Sequence, residues 1–358
     1  MNVIAHIIVG FNHGGTEMHC QRLIANWTDN SKHIVIALDQ TDGPMRNIFI
    51  KTVNVDAVEG LNQETRHSSL YLRLRILIKR YRVTHVINHY FGISHIISVL
   101  ASRSCGVKNN IALSGNPATG SFQYRIKCWL ILFASYWLNA PIITCSNYVH
   151  ETFKSISPRL LKKSKVIYYG IEIPELYDES KRTHDQIIIS MVARLDSIKD
   201  HETLIRAFAL IKSQNATLNI IGDGPLKKRI EGLVASCGLS SKVHLMGSRS
   251  DVNKLLCDSD IFVFSTTERE GFGIAIIEAM AHSLPIVATN VNACREVLGS
   301  KNFGLVPPGD YTKLAEAIDY LINYPKERII HGRNNWDRAK KLFSIESSVR
   351  EYSSILAD

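Results

Sequence analysis

Short apolar runs alternate with longer stretches of helical periodicity along nearly all of the 358-residue chain. Repeated strand–helix–strand units build a parallel sheet that is covered by crossover helices. The alternation therefore predicts an α/β fold. The predicted strands are Val3–Val9, His33–Leu38, Lys51–Val55, His85–Asn88, Asn110–Leu113, Ile142–Thr144 and Val166–Tyr168 in the first half, and Ile187–Val192, Thr217–Ile221, Val243–Met246, Ile261–Phe264, Pro285–Thr289 and Gly304–Val306 in the second.

The alternation is interrupted once, between residues 173 and 186, where the chain is polar, broken by Pro174 and without periodicity. Such a stretch is typical of an interdomain linker. We therefore predict one doubly wound domain over residues 1–172 and a second over residues 187–334. Two such domains leave a cleft between them, and ligands of doubly wound sheets bind outside the carboxyl ends of the strands.

Composition narrows the class of protein. Seven cysteines are scattered without C-x-x-C spacing, which argues against a disulfide framework or a zinc site and favours a reducing cytoplasm. The first residues predict a strand rather than a signal peptide. The longest apolar run, Cys128–Leu138, is shorter than the roughly 20 residues that span a bilayer. The net charge of +9 indicates an anionic partner, although no nucleic-acid-binding module is present.

The stretch Ser265–Glu278 carries the clearest signal of a binding site. A short buried strand leads into the hinge Gly271-Phe272-Gly273, and a helix follows from Ile274. Glycines between a strand and a helix gather backbone N–H groups at the positive end of the helix dipole, which suits a phosphate. Glu270 and Glu278 frame this position, and carboxylates accept hydrogen bonds from hydroxyl groups. The stretch therefore predicts a site for a phosphate attached to a polyhydroxyl group.

Three further features fit a phosphate. Gly14 and Gly15 lie between the first strand and the first helix, where N–H groups can approach an anion, although a tight turn also explains them. Arg194 and Lys199 follow the first strand of the second half and suit a diphosphate, the alternative being two surface charges. Gly222 closes the next strand, where a turn alone would explain it.

These motifs carry a family resemblance. The string Glu270-Gly-Phe-Gly-Ile-Ala-Ile-Ile-Glu278 resembles the E-x7-E motif of the GT-B-fold retaining glycosyltransferases of family four. The resemblance implies two Rossmann-like domains that face a central cleft, with a C-terminal helical segment over residues 335–358 that packs back on the N-terminal domain. Further segments similar to family landmarks are Gly14–Glu17, Ala193–Ile205, Ile221–Pro225, Leu245–Gly247 and Pro285–Thr289.

The resemblance also implies roles for individual residues. Arg194 and Lys199 would neutralise the diphosphate of a nucleotide-sugar donor, which becomes the leaving group. Glu278 would hold the ribose hydroxyls, and Glu270 would orient the donor sugar together with the glycine hinge. The transferred sugar would keep its anomeric configuration, and neither a metal nor another cofactor is implied. The other implied donor contacts are Gly14, Gly15, Gly222, Met246, Gly247, Arg249, Gly271, Phe272, Gly273 and Ile274.

One departure from the family pattern concerns the acceptor side. Many members carry a histidine near the end of the strand that here ends in Ser114-Gly115-Asn116. Either another group takes its role, or the acceptor geometry differs. His89, at the end of the preceding strand, is the nearest candidate, and a packed or surface histidine is the alternative.

The family's acceptors are often lipid-linked saccharides at the cytoplasmic face of the membrane, so a saccharide or a polyprenyl-diphosphate-linked acceptor is implied. The basic segment Arg73–Arg82 and the aromatic segment Phe122–Trp137 favour peripheral contact with an anionic membrane. The simpler explanation of Cys128–Leu138 is a core helix.

We therefore predict a retaining, metal-independent glycosyltransferase that is cytoplasmic or peripheral on the inner face of the membrane. Its donor would be a UDP- or GDP-linked sugar, and its product a surface polysaccharide such as O-antigen, lipopolysaccharide or capsule. Two alternatives stay open. A nucleotide-sugar epimerase or hydrolase shares the GT-B fold and needs no acceptor, and a non-catalytic nucleotide-sugar-binding protein would fit the missing histidine.

Overall fold

The structure of the chain, a computed structural model, describes residues 1–61, 67–107, 109–176 and 186–357. It divides into two compact units, of which the first comprises residues 1–170 and 345–358 and the second residues 171–344. Of the linker predicted over residues 173–186, residues 177–185 lie outside the described residues.

A seven-stranded parallel sheet forms the centre of the first unit. Its spatial order is β3-β2-β1-β4-β5-β6-β7, so the order reverses between the first and fourth strands. The strands β1 and β2 are almost wholly buried, as expected for a sheet covered on both faces. In chain order the strands are β1 (Val3–Ile8), β2 (Lys32–Ala37), β3 (Val55–Gly60), β4 (His85–Asn88), β5 (Asn109–Ser114), β6 (Ile142–Thr144) and β7 (Lys165–Val166).

Helices connect these strands, and a 3-10 helix at Pro158–Leu161 precedes β7. The helix after β5 is largely apolar and buries only one side, Cys128, Ile131, Leu132 and Ser135. The helices of this part of the chain are α1 (Gly15–Ala25), α2 (Pro44–Lys51), α3 (His67–Arg80), α4 (Ile93–Arg103), α5 (Phe122–Trp137) and α6 (Asn147–Lys154).

The strand predicted over Lys51–Val55 is wrong. Residues Pro44–Lys51 form α2, and the strand follows over Val55–Gly60. Proline is favoured at the first position of a helix because the N–H that it lacks would have no partner there. Met45 and Phe49, one helical turn apart, are both buried, which anchors the helix.

The second unit is built on a six-stranded parallel sheet in the order β10-β9-β8-β11-β12-β13. Each of the six strands predicted for the second half overlaps one of these strands, so the predicted α/β class and the doubly wound order are confirmed. The strands are β8 (Ile187–Val192), β9 (Ala216–Ile221), β10 (Val243–Gly247), β11 (Ile261–Phe264), β12 (Ile286–Thr289) and β13 (Leu305–Val306).

Seven helices flank this sheet in the described residues. Asp200 and Asp310 cap two of them by accepting hydrogen bonds from the backbone N–H groups of Thr203 and Lys313. The helices are α7 (His201–Leu210), α8 (Lys227–Ser236), α9 (Val252–Cys257), α10 (Ile274–Ala281), α11 (Asn292–Leu298), α12 (Tyr311–Asn323) and α13 (Pro325–Leu342).

The C-terminal segment is divided differently from the prediction. Helix α13 belongs to the second unit, where Asn335 Nδ2 donates a hydrogen bond to Leu284 O at 2.8 Å. Only the last helix, α14 (Ile345–Ala357), clusters with the first unit. There Ser348 Oγ donates to Tyr168 O at 2.7 Å. The change of unit therefore falls at residue 345, not at residue 335.

Candidate active site

Strands β8 and β11 are neighbours at the point where the strand order of the second sheet reverses. The loops that follow them leave the carboxyl edge of the sheet together, at the position where doubly wound sheets bind ligands. Backbone hydrogen bonds join the two loops, from Asp200 N–H to Ser265 O and from Thr267 N–H to Ile198 O, each 3.0 Å long. Two motifs that are about 70 residues apart in sequence therefore form one structural element.

Lys199 and Glu270 form an ion pair across this element. Their side chains are only 15% and 11% exposed, and the Lys199 Nζ also lies 4.3 Å from the centroid of the Phe264 ring. The other carboxylate oxygen of Glu270 accepts hydrogen bonds from the backbone N–H groups of Gly271 and Phe272, at 3.2 and 3.3 Å. Glu270 thus joins the predicted diphosphate-binding cation to the glycine hinge, a link that the separate motifs did not indicate.

Thr266 is a site residue that the sequence patterns missed. Its backbone N–H donates to Thr289 Oγ1 at 3.0 Å, and its hydroxyl donates to Ile198 O at 3.0 Å. The same hydroxyl lies 3.5 Å from Glu270 Oε2. Thr266 therefore fixes both loops around the ion pair. A lone threonine between a strand and a turn carries no sequence signal for this role.

Arg194 differs from Lys199 in its exposure. Its side chain is 72% exposed, and the nearest carboxylate oxygen, Asp196 Oδ2, is 3.8 Å from Nε. The backbone is held instead, because His201 Nε2 donates to Arg194 O at 3.2 Å. Burial lowers the pKa of His201, which keeps this histidine neutral with the proton on Nε2. The predicted guanidinium is thus available to an anion while its backbone is fixed.

Gly222 supports the loop that carries Arg194. Its φ of +141° is unfavourable for residues with a side chain, and a Cβ at this position would lie 2.0 Å from Ala193 O. The Gly222 N–H donates to Gly247 O at 2.8 Å. Close backbone packing therefore explains why glycine is required here. Gly222 packs directly against the loop that carries Arg194.

Of the other implied donor contacts, Met246 and Gly247 end β10 and Arg249 follows it. Met246 and Gly247 are half-buried, and Gly247 has a positive φ of 69°. Arg249 is exposed and forms two hydrogen bonds with the carboxylate of Asp251, at 2.8 and 2.7 Å. This pairing directs the guanidinium toward Asp251 in the structure.

Helix α10 begins directly after the hinge. Gly273 takes the left-handed conformation, with φ 89° and ψ 64°, and no side chain caps the helix. Ile274 and Glu278 are one turn apart on the half-buried side, whereas Ile276 and Ile277 are buried. Glu278 therefore lies on the same half-buried side of α10 as Ile274, the first residue of the helix. The predicted contact of Glu278 with ribose hydroxyls requires such a partly exposed position.

In the first unit, Gly14 precedes α1 and Gly15 is its first residue. A Cβ on Gly14 would lie 2.3 Å from Glu17 Oε2, so the carboxylate folds back over the turn. Burial raises the pKa of Glu17. Because this contact is with the end of a flexible side chain, it does not by itself require glycine at position 14, and the predicted phosphate contact stays a prediction.

His89 is buried inside the first unit, with 3% of its surface exposed. His89 Nε2 lies 3.0 Å from His6 Nδ1, and His6 Nε2 lies 2.9 Å from His33 Nδ1, which makes a chain of three rings. Burial lowers the pKa of His89 to about 3 and that of His33 to about 4, so the chain is neutral at pH 7. Such burial argues against the predicted contact of His89 with an acceptor and favours a packing role.

One group of side chains among the described residues is spaced for a metal ion. The ligand atoms of His6, Cys20 and His89 lie within 4.8 Å of one another, and all three residues are buried. Both ring nitrogens of His6 already face the neighbouring histidines. Hydrogen bonding between imidazoles therefore accounts for this group without a metal.

The family model for glycosyl transferases group 1 matches residues 172–340. This match contains the ion pair, Arg194, Gly222 and helix α10. The two joined loops that follow β8 and β11 therefore lie within the residues that the family model matches.

Two curated relatives carry sugar-transfer names. The N-acetylgalactosamine-N,N'-diacetylbacillosaminyl-diphospho-undecaprenol 4-alpha-N-acetylgalactosaminyltransferase of Campylobacter jejuni is 35% identical over 156 residues, 42% of this chain and 41% of that protein. The capsular polysaccharide biosynthesis glycosyltransferase CapM of Staphylococcus aureus is 31% identical over 179 residues, 49% of this chain and 47% of that protein. The chain thus spans about half or less of the length of each of these two relatives.

Among solved structures, the chain is similar to Anabaena Alr3699/HepE in complex with UDP-glucose, with a TM-score of 0.85, 18% identity and full coverage of both chains. This likeness concerns the fold. Residues 172–340 thus match the glycosyl transferases group 1 family model, and the fold of the chain is GT-B.

Proposed function

We propose that the chain is a retaining glycosyltransferase that moves a sugar from a nucleotide-diphosphate-sugar donor to a saccharide acceptor. The observation that carries the proposal is the Lys199–Glu270 pair beside the exposed Arg194, at the switch point of the second sheet. The match to the family model and the doubly wound fold support the same activity.

The leaving group of such a transfer is a nucleoside diphosphate, whose negative charge grows as the glycosidic bond breaks. Fixed cations that are already oriented toward this position stabilise the transition state without reorganisation. Glu270 and the Phe264 ring hold Lys199 in place. The backbone of Arg194 is held by the loop that packs on Gly222. In the proposed reaction these two cations replace a metal ion, so no cofactor is needed.

The two carboxylates of the E-x7-E motif act on different parts of the donor in this proposal. Glu278 accepts hydrogen bonds from the ribose hydroxyls. Glu270 orients the donor sugar together with the hinge N–H groups, and it also positions Lys199. A carboxylate has about four acceptor sites, so hydrogen bonds to the sugar would share lone pairs with the existing donors. Glu270 is thus the residue whose contacts change most when donor binds.

The proposed acceptor is a lipid-linked saccharide, and the proposed pathway class is surface polysaccharide synthesis at the inner face of the membrane. One relative is named for a diphospho-undecaprenol substrate and another for capsular polysaccharide biosynthesis. These names support the acceptor class for this chain and leave the individual sugar to experiment.

A donor screen tests the proposal. The purified chain is incubated with UDP- and GDP-linked sugars, first alone and then with polyprenyl-diphosphate-linked saccharides, and the products are separated by mass and anomeric configuration. We expect one nucleotide sugar to yield an α- or β-linked product of unchanged configuration only when acceptor is present.

Other outcomes decide against the proposal. Conversion or hydrolysis of the donor to completion without any acceptor would favour the epimerase or hydrolase. Donor binding that never leads to turnover, and that Glu270→Gln alters only in affinity, would favour a binding protein. A product of inverted configuration would contradict the retaining mechanism.

A further inference from the structure

Helix α5 exposes an apolar stripe that nothing else in the described part of the chain covers. At about 100° per residue, the stripe residues fall within an arc of roughly 100°. The buried residues of the helix lie on the opposite side. The stripe residues are 40–78% exposed and are Phe122, Ile126, Trp129, Leu130, Phe133 and Trp137.

The aromatic rings of this stripe are ordered along the helix. The Trp129 and Phe133 rings stack with centroids 5.3 Å apart, and the Phe133 and Trp137 centroids are 6.1 Å apart. Six exposed apolar side chains on about four turns form a continuous patch rather than scattered surface residues. Patches of this kind mark sites of interaction with proteins or membranes.

The charges around the stripe favour an anionic partner. Exposed Arg125 and Lys127 lie beyond its two edges, where long side chains can bring their charges to a polar boundary. The chain contains ten lysines and arginines and no aspartate or glutamate between residues 65 and 150, which include α3, α4 and α5. The 3-10 helix Pro158–Leu161, which packs on α5, adds exposed Arg159, and exposed Lys163 follows this helix.

This charge distribution argues against a second copy of the chain as the occupant, because self-association would bring two acid-free basic surfaces together. An anionic bilayer suits both features. Tryptophan rings favour the interface between headgroups and acyl chains, and each cation near an anionic surface strengthens binding roughly fivefold. Among the described residues, no helix combines the length and hydropathy needed to cross the bilayer, so α5 would lie along the surface.

We propose that α5 is the membrane-docking surface of this protein and that it binds anionic phospholipid with its axis parallel to the bilayer. The inference rests on the proposed function, since a lipid-linked acceptor is presented at such a surface. It also narrows the prediction made from the sequence, in which the basic segment Arg73–Arg82 and the aromatic segment Phe122–Trp137 both favoured membrane contact and a core helix was the simpler explanation of Cys128–Leu138.

Vesicle co-sedimentation of the full chain tests the surface without donor or acceptor. Vesicles of phosphatidylglycerol and phosphatidylcholine are compared with vesicles of phosphatidylcholine alone. We expect the wild type to bind the anionic vesicles. Trp129→Gln with Phe133→Gln should weaken this binding on the order of tenfold, because two rings no longer become buried in the bilayer. The matched control, Ile329→Gln with Ile330→Gln on α13, replaces residues of similar exposure and should bind as the wild type does.

Tryptophan fluorescence identifies the inserted residues directly. The chain has four tryptophans, of which Trp27 is buried and Trp336 donates a hydrogen bond to Pro174 O. Brominated acyl chains should quench Trp129 and Trp137 and leave the other two unaffected. Trp129→Phe with Trp137→Phe should keep vesicle binding and lose the quenching.

Several results would overturn the inference. These are wild-type binding by the Trp129→Gln/Phe133→Gln variant, equal binding to neutral and anionic vesicles, and binding without quenching. Self-association that this variant abolishes would identify the face as an interface between copies instead. Donor turnover with a water-soluble acceptor, measured without lipid, tests the proposed function separately. A chain that transfers sugar but binds no vesicle would refute only the docking surface.

Discussion

Lys199→Met removes the charge of the ion pair while it keeps an unbranched side chain against the Phe264 ring. Removing one partner destabilises a fully buried pair by about 3–5 kcal/mol and an exposed pair by about 0–1 kcal/mol. The Lys199 and Glu270 side chains are 15% and 11% exposed, which lies nearer the buried case. Glu270 keeps the hydrogen bonds from the Gly271 and Phe272 N–H groups. We therefore expect the free energy of unfolding to fall by about 2 kcal/mol.

The expected effect on turnover is larger. Removing one oriented donor from a developing negative charge lowers kcat by about 10²- to 10³-fold, or roughly 3–4 kcal/mol. A domain with an unfolding free energy of about 5 kcal/mol or more stays over 99% folded after a loss of 2 kcal/mol. Unfolding therefore cannot account for the predicted decrease in kcat.

The assay combines donor turnover with urea denaturation of the same preparations. Lys227→Met is the matched control, because its ammonium lies 3.9 Å from Asp223 Oδ2 and the two side chains are 42% and 52% exposed. We expect this control to change the unfolding free energy by less than about 1 kcal/mol and to leave kcat unchanged. Wild-type kcat in Lys199→Met, or an equal decrease in both variants, would refute the assignment of Lys199 to the leaving group.

Three other predictions concern the site and the first unit. Gly222→Ala places a Cβ against Ala193 O at a positive φ, so calorimetry should show a loss of about 2–4 kcal/mol in unfolding free energy; a neutral effect would contradict the packing argument. Glu278→Gln should weaken binding of the ribonucleotide by about 10- to 100-fold in titration calorimetry and leave the 2′,3′-dideoxy analogue unaffected. The pKa of His89 is about 6.5 in the unfolded chain and about 3 in the folded chain, because the folded ring is buried. Below pH 6.5 the unfolded chain therefore binds a proton that the folded chain does not. The contribution of this residue lowers the unfolding free energy by about 1.4 kcal/mol for each pH unit of acidification. Denaturation of His89→Leu between pH 6 and pH 4 should show a slope that is smaller by about that amount, and an unchanged slope would refute the neutral buried ring.

Local patterns predicted the strands well where those strands are buried on both faces. The six strands of the second sheet are short apolar runs, and each lies where its run predicts. The region of α2 failed because only Met45 and Phe49 of this short helix are buried, and because β3 is an edge strand with little buried surface. The boundary at residue 345 also lacked a signal, since a helix does not record which unit it packs against.

The candidate site shows the same division between local and long-range information. Arg194, Lys199 and Glu270 were found because charged residues and glycines follow strands at recognisable positions. The ion pair between Lys199 and Glu270 was not predicted. It depends on β8 and β11 being neighbours, which is a property of the strand order. Thr266 and the buried state of His89 depend on tertiary packing in the same way.

Helix α5 shows why exposure is the hardest property to predict. A helix that is mostly apolar is normally buried or in contact with a membrane, and sequence alone does not separate the two cases. Here α5 follows β5 and leads to β6 and β7, which form one edge of the sheet and are only three and two residues long. Helix α4 and the 3-10 helix Pro158–Leu161 pack against α5, and the stripe stays 40–78% exposed.

An exposed aromatic stripe also makes a separate prediction about solubility. Contiguous apolar patches promote association in water, and the net charge of +9 opposes it only at low salt. Trp129→Gln with Phe133→Gln should therefore reduce light scattering at high salt while thermal unfolding stays within about 0.5 kcal/mol of the wild type, as expected for surface positions. If the two rings instead packed against a covering element, the substitutions would create a cavity with buried amides, and stability would fall by several kcal/mol. The two measurements together distinguish an exposed docking face from a covered core.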